Sequence, residues 1–263
     1  MASRVQSGNS WSLKADRREN TDQNDASRIA KQTADWTAYA TSYDLLADYN
    51  PAYQELVKEC DEFLSGIEPP RVIFDVGGGT GTYSLLAAQK FPESAIYLIE
   101  PDQGMRMRAQ EKLSGFDNIT YVGTGLEDAE ISVKADTIIC VHSLYSMPDQ
   151  TERLKNLRDF LEPGGLMFLV DLGRTMNVTD WRSYLFSHLT REYGLIKALK
   201  VFWQGREIAK QNKAIFEAQK NGLYWTHTGA ELAASVENAG FEIIKQKSVY
   251  RDYSDLLLCR AAM

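Results

Sequence analysis

The sequence predicts an α/β fold built on a doubly wound, mostly parallel sheet. Two observations carry that expectation. From residue 71 onward, short and nearly continuous apolar runs alternate with amphipathic helical stretches, and the first run ends in a glycine-rich turn, Gly77-Gly78-Gly79-Thr80-Gly81, that opens a helix. Apolar runs without polar alternation are strands buried on both faces, and their alternation with helices places helices on both sides of a parallel sheet. Composition agrees: 263 residues with 44% hydrophobic and 25% charged is the balance of a globular chain whose core needs no covalent staples.

Residues 1–27 are polar and charged and read as a mobile tail, without the apolar core of a secretion signal. From Ile29 to Ile67 the pattern is helical. Trp36, Tyr39, Tyr43, Leu46 and Tyr49 recur every three or four residues as one aromatic stripe, which Pro51 interrupts. Tyr53, Leu56, Val57, Cys60 and Leu64 continue it on a second helix, closed by Gly66 and Pro69-Pro70. Strands are expected over 71–76, 95–99, 119–122, 136–141 and 166–170, with helices over 80–90, 103–113 and 150–161. Residues 175–226 break this rhythm with an aromatic-rich, mostly helical stretch. A helix over 230–239 and strands over 241–246 and 254–259 restore it.

Charge and cysteine content exclude several classes. A net charge of −7 argues against a dedicated nucleic-acid binder, whose footprint is basic. Cys60, Cys140 and Cys259 cannot form a disulfide framework, and no two have metal-ligand spacing. No stretch approaches the ~18 apolar residues of a membrane span. A soluble, cytoplasmic domain with no membrane partner is the expectation.

The chemistry sits where Val72-Ile73-Phe74-Asp75-Val76 runs into the glycine turn. Glycine there permits positive φ and close approach of a ligand to the backbone, and the helix that follows aims free N–H groups at it. The spacing is Asp75-x-Gly77-x-Gly79-x-Gly81. The dinucleotide fingerprint G-x-G-x-x-G/A fits poorly, since its third position falls on Thr82. A carboxylate ending the first strand repels a pyrophosphate and suits an ammonium group.

This stretch resembles, at every position, the D/E-x-G-x-G-x-G motif of the class I S-adenosylmethionine-dependent methyltransferases of small-molecule type. Two further landmarks agree in order: Ile99-Glu100-Pro101-Asp102 at the end of the second strand, and Leu161-Glu162-Pro163-Gly164-Gly165 before an apolar strand. An acid like Glu100 also serves NAD sites, so alone it does not discriminate. The resemblance implies a Rossmann-like seven-stranded sheet of order 3-2-1-4-5-7-6 with strand 7 antiparallel. It divides the chain into a tail (1–27), an N-terminal helical lid (28–68), a cofactor-binding core (69–174), an inserted helical cap (175–226) and the C-terminal part of the core (227–263).

The resemblance also assigns roles. The cofactor is S-adenosylmethionine, leaving as S-adenosylhomocysteine. Asp75 meets the methionine ammonium, directly or through water, Gly77, Gly78 and Gly79 let the cofactor pass, and Glu100, beside Pro101, takes the ribose. Met105 packs near the adenine, and Tyr43 reaches the cofactor from the lid. The family usually places an acid after the third strand, where this chain has Gly125. Leu126 and Glu127 follow, with Glu127 or a backbone carbonyl as the substitute. Val141 and the residues after it line the methyl group.

A general base needs a pKa near the operating pH and reach of the nucleophile. His142 stands at the C-terminal end of a parallel strand, where such sheets bind ligands, and Tyr145 either orients substrate or packs. His188 and His227 face substrate or solvent. No metal site is legible: Asp171 follows the fifth strand without further oxygen ligands. The aromatic cap suits a small, partly apolar or aromatic methyl acceptor, as in secondary metabolism. No nucleic-acid partner is expected, and lid and cap each offer a surface for homo-oligomer formation. An RNA or protein methyltransferase, and a non-catalytic cofactor-binding protein of the same fold, share these features; a NAD-dependent oxidoreductase fits the glycine spacing less well.

Overall fold

The computed structural model describes residues 33–262. The tail expected over 1–27 and the start of the expected lid lie outside that range. Seven strands form one sheet: β1 (Val72–Val76), β2 (Ala95–Ile99), β3 (Ile119–Val122), β4 (Ala135–Val141), β5 (Leu161–Asp171), β6 (Phe241–Val249) and β7 (Ser254–Ala261). Their order is β3-β2-β1-β4-β5-β7-β6. Strands β1 to β5 pair in parallel, and β7 runs antiparallel to both β5 and β6, as the resemblance implied.

The alternation of side chains along each strand builds two core layers. On one face, Leu56 and Leu64 of α3 (Pro51–Ser65) and Ala87 of α4 (Thr82–Lys90) cover Ile73, Ile139 and Phe168. On the other, Leu157 of α6 (Gln150–Phe160) and Leu232 of α10 (Gly229–Asn238) cover Phe74, Ile138 and Met167. Neighbours such as Ile73 and Phe74 therefore point to opposite layers, and both are fully buried. The edge strand β6 carries Lys245 and Lys247, charges that discourage further strand pairing.

Two expectations change. The aromatic stripe is divided between two short helices, α1 (Trp36–Ala40) and α2 (Leu45–Tyr49), with Tyr43 in the turn that joins them. Between them the Thr41 hydroxyl donates to the Ala38 carbonyl at 2.8 Å, an instance of Thr and Ser competing with helical bonding. Asn50 then caps α3 by accepting from the Ala52 N–H, with Pro51 in the first turn. Strand β5 begins at Leu161 rather than 166: Leu161 pairs with Ala135, and Pro163-Gly164-Gly165 lies in a register shift before Leu166 pairs with Thr137. A Pro-Gly-Gly run reads as a loop, and only the neighbouring strand makes it part of a sheet.

The N-terminal helices, where a lid is expected, are seated on the core. Helix α5 (Gln103–Lys112) meets α1 at Gly104, where a Cβ would stand 2.9 Å from the Thr37 Cα. The Asp44 carboxylate accepts from both Thr80 Oγ1 and Lys112 Nζ, each at 2.6 Å. The cap comprises α7 (Val178–Tyr193), α8 (Leu195–Gln204) and α9 (Arg206–Lys220). Its return to the core is fixed by backbone bonds from Trp225 N–H to the Tyr145 carbonyl (2.8 Å) and from His227 N–H to the Gly173 carbonyl (2.9 Å).

Candidate active site

Strand β1 delivers the chain into the glycine turn at the sheet's centre. Gly77 has φ +67°, and a Cβ there would lie 2.3 Å from the Ser143 Cβ, so both backbone and space demand glycine. The Gly77 and Gly78 N–H groups both donate to the Ile99 carbonyl, at 2.8 and 3.2 Å. That bond pair bends the turn over the end of β2. There, the Gly79 N–H donates to Glu100 Oε2 at 3.0 Å and the Asp102 N–H to Oε1 at 2.8 Å.

A cavity of about 220 Å³ opens at the C-terminal ends of the strands, the place where doubly wound sheets bind ligands. Gly77 and Gly79 line it from the first turn, and Glu100, Pro101 and Met105 from the second strand and its helix. Leu126 and Glu127 close it after β3, Val141 and His142 after β4, and Tyr43 from the lid. Three expected residues stand outside this lining. Gly78 turns toward Leu98 and Asp75. Asp75 lies behind the loop, accepting from the Ser84 hydroxyl at 2.6 Å and so pinning the turn to the first turns of α4. Tyr145 is buried against Tyr224, with ring centroids 5.4 Å apart, and its N–H donates to Asp171 Oδ1 at 3.0 Å.

Sequence reasoning missed Trp36 and Gly125 as part of the wall, and also Ser146, Met147 and Pro148. Trp36 was legible as a member of the aromatic stripe. The other three end or follow the short 3₁₀ turn Leu144–Ser146 after β4, a stretch that leaves no periodic signal. Gly125 is the informative omission: a Cβ on it would lie 2.6 Å from Glu127 Oε1. Glu127 has folded its carboxylate into the space that a side chain at 125 would fill. Gly125→Ala is expected to displace that flexible carboxylate and to weaken adenosine-ligand binding severalfold, with an unchanged melting temperature; calorimetry and a thermal melt check both.

Electrostatics separate the acids from the histidine. Burial pushes the Glu100 carboxyl up to about 7, against the pull of its two backbone N–H donors. Burial likewise raises Asp75 to about 6, opposed by its hydrogen bonds from Ser84. His142 moves the other way, down to about 4, because burial disfavours the imidazolium. It is a neutral ring at neutral pH, with Nε2 2.8 Å from the Ser254 hydroxyl. Its φ of +51° is a conformation that a non-glycine residue adopts at a cost, and such costs cluster at functional sites. His188 is half-buried beside Tyr193. His227 is buried, with Nε2 3.0 Å from Asp171 Oδ2, and so faces neither solvent nor the cavity. Among the described residues no three His, Cys, Asp or Glu side chains are grouped to hold a metal ion.

The methyltransferase domain family model matches residues 48–246. The chain belongs to that family. A malonyl-[acyl-carrier protein] O-methyltransferase of Ilyobacter polytropus is 27% identical over 126 residues, 48% of this chain and 46% of that protein. An isoflavone-7-O-methyltransferase of Medicago sativa is 32% identical over 114 residues, 43% of this chain and 29% of that one. The chain thus spans about half the length, or less, of these curated relatives. The N-methyltransferase NodS of Bradyrhizobium japonicum, solved with S-adenosylhomocysteine, superposes with a TM-score of 0.59 at 13% identity, covering 87% of this chain and all of that one. The methyltransferase fold is therefore shared well beyond recognisable sequence.

Proposed function

We propose that this methyltransferase-family protein binds S-adenosylmethionine in the strand-end cavity and transfers its methyl group to an O, N or C atom of a small, partly apolar or aromatic acceptor. One observation carries the reading. A buried carboxylate, Glu100, faces the cavity while held to the glycine turn by the Gly79 N–H. Two carboxylate oxygens offer about four acceptor positions, and two backbone N–H groups leave room for two ribose hydroxyls. The rest of the wall fits the same ligand. Gly77 forms a cradle that a Cβ would fill, and Glu127 stands where an adenine amino group can donate. Trp36 and Tyr43 present aromatic surface suited to a sulfonium.

When bound, the cofactor supplies a methyl group already activated by the positive sulfur. What remains for the protein is alignment and exclusion of water. The seated lid, with Tyr43 over the cavity, performs the exclusion. Neutral His142 lines the cavity, where it can hydrogen-bond and orient an O or N acceptor; a pKa of about 4 leaves it too weak to act as a general base near neutral pH. Tyr145, which does not touch the cavity, acts as a positioning residue. Asp75 acts the same way, by holding the turn. Secondary metabolism, a cytoplasmic site of action and a homo-oligomeric state belong to this reading. No described helix is long and apolar enough to cross a membrane.

Titration calorimetry with S-adenosylmethionine, S-adenosylhomocysteine and NAD tests the reading. Heat is expected with both sulfur ligands and none with NAD. Folded protein that gives no heat with either sulfur ligand overturns it.

A further inference from the structure

A second cavity, of about 250 Å³, lies between the lid and the cap. Leu46 and Tyr49 of α2 face Leu185 and Leu189 of α7 across it, and Val201 and Ile208 close it from α8 and α9. Against this apolar wall the polar groups left over are donors. Trp181 is 4% exposed, lines the cavity, and its indole N–H has no hydrogen-bond partner among the described residues. Asn212 spends its carbonyl oxygen on the Tyr39 hydroxyl (2.8 Å), leaving its amide N–H groups. Arg182 and Arg206 also line the wall, and among the described residues neither has a carboxylate within ion-pair distance. A buried donor without an acceptor is costly. A ligand that brings oxygen acceptors on an apolar body relieves the cost.

Tyr250, which lines neither cavity, packs between one wall residue of each. Its ring is 4.7 Å from His142, which lines the cofactor cavity, and 4.7 Å from Trp181, which lines the second. Its hydroxyl accepts from Asn50 Nδ2 at 3.3 Å. Tyr250, Arg251 and Asp252 all have positive φ, at 53°, 58° and 64°, and no glycine relieves that turn. The cap holds the turn in place: Arg251 pairs with Asp180 at 2.9 Å and lies over the Tyr184 ring at 4.2 Å. Tyr250 is thus tied to the helix that lines one of the cavities.

We propose that the lid–cap cavity is a binding site for an apolar molecule bearing a carboxylate-like anionic group, with Tyr250 packed between its wall and that of the cofactor cavity. That such a molecule is the methyl acceptor rests on the methyltransferase reading above; that it binds does not.

Two fluorescent probes with one aromatic body test the site: anionic 8-anilinonaphthalene-1-sulfonate and uncharged N-phenyl-1-naphthylamine. Both are titrated into the full chain in the presence of S-adenosylhomocysteine, which occupies the first cavity. The sulfonate is expected to bind about tenfold tighter than the neutral probe. Arg182→Gln combined with Arg206→Gln should erase that preference and leave the neutral probe within about twofold. Ala209→Trp, which fills the cavity from α9, should weaken both probes more than about tenfold. S-adenosylhomocysteine binding should be unchanged in all variants. Equal affinity for the two probes, or a preference that survives loss of both arginines, overturns the proposal. So does binding indifferent to a folded Ala209→Trp. If Ala209→Trp does not fold, the arginine pair, exposed at the surface, decides alone. Failure of the wild-type chain to bind S-adenosylhomocysteine would instead strike the methyltransferase reading.

Discussion

Wild-type affinity for S-adenosylhomocysteine is expected to rise about tenfold from pH 6 to pH 8, and Glu100→Gln should both flatten that slope and weaken binding at pH 8 more than tenfold. The sign follows from burial. Glu100 is raised to about 7 in the free protein, so about one molecule in eleven carries the carboxylate at pH 6 and about ten in eleven at pH 8. In the proposed site, ribose hydroxyls donate to the carboxylate, so binding selects the ionised form and follows that fraction. The same shift fixes the direction of the stability change. A carboxyl whose folded pKa lies above its unfolded value stabilises the free protein at low pH, and that contribution is lost as pH rises through the folded value. The ligand-free protein therefore loses stability between about pH 4.5 and pH 7 on account of this group, and the ligand's thermal protection grows over the upper part of that window. Calorimetry at five pH values reads the first effect and thermal melts read the second. A flat wild-type profile would remove Glu100 from the ribose.

What was legible in the sequence, and what was not, divides by the range of the interaction that decides it. Buried strands and their helices were readable because burial on both faces leaves an unbroken apolar run such as Val72 to Val76. The wall of the strand-end cavity was largely readable for a related reason: Gly77, Glu100 and Val141 stand at or just past strand ends, and Met105 on the helix that follows one, places that chain order alone locates. Asp75 shows where that reasoning stops. A carboxylate two residues ahead of the first glycine reads as a ligand contact, yet its orientation is set by Ser84, nine residues on, and it points behind the turn. For Tyr145 the sequence leaves orienting substrate and packing open, and only the returning cap reveals Tyr224 as the neighbour it packs against. Glu127 filling the place of a side chain at Gly125 is a substitution in space: the sequence offers either Glu127 or a backbone carbonyl there, and only the folded chain shows the carboxylate occupying that space. The Tyr250–Asp252 turn is harder still, because its three positive φ values are held by Arg174 and by the cap rather than by glycine.

Asp171→Ala is expected to cost about 3–5 kcal/mol of folding stability, the penalty for stripping one member from a buried pair. Asp171 ends β5 with its side chain wholly inside, and both its oxygens are used, Oδ1 by the Tyr145 N–H and Oδ2 by His227 Nε2. Alanine leaves a buried backbone donor and a buried imidazole without acceptors, and no solvent reaches either. The loss is not local, because these two partners are where core and cap are joined. Tyr145 accepts from Trp225 through its carbonyl, and His227 donates through its N–H to Gly173. Packing there is close enough that a Cβ on Gly173 would fall 2.4 Å from the His227 carbonyl oxygen. Loosening the pair thus frees the cap's return segment and, through Tyr145, the 3₁₀ turn whose Ser146 lines the strand-end cavity. Asp171→Asn keeps one acceptor oxygen for the Tyr145 N–H and should recover about half of the lost stability. Urea unfolding of both variants, with S-adenosylhomocysteine affinity measured on the folded fraction, separates the two effects. A loss below about 1 kcal/mol for the alanine variant, the range of a surface pair, would show that water reaches His227 and that the join between core and cap is held elsewhere.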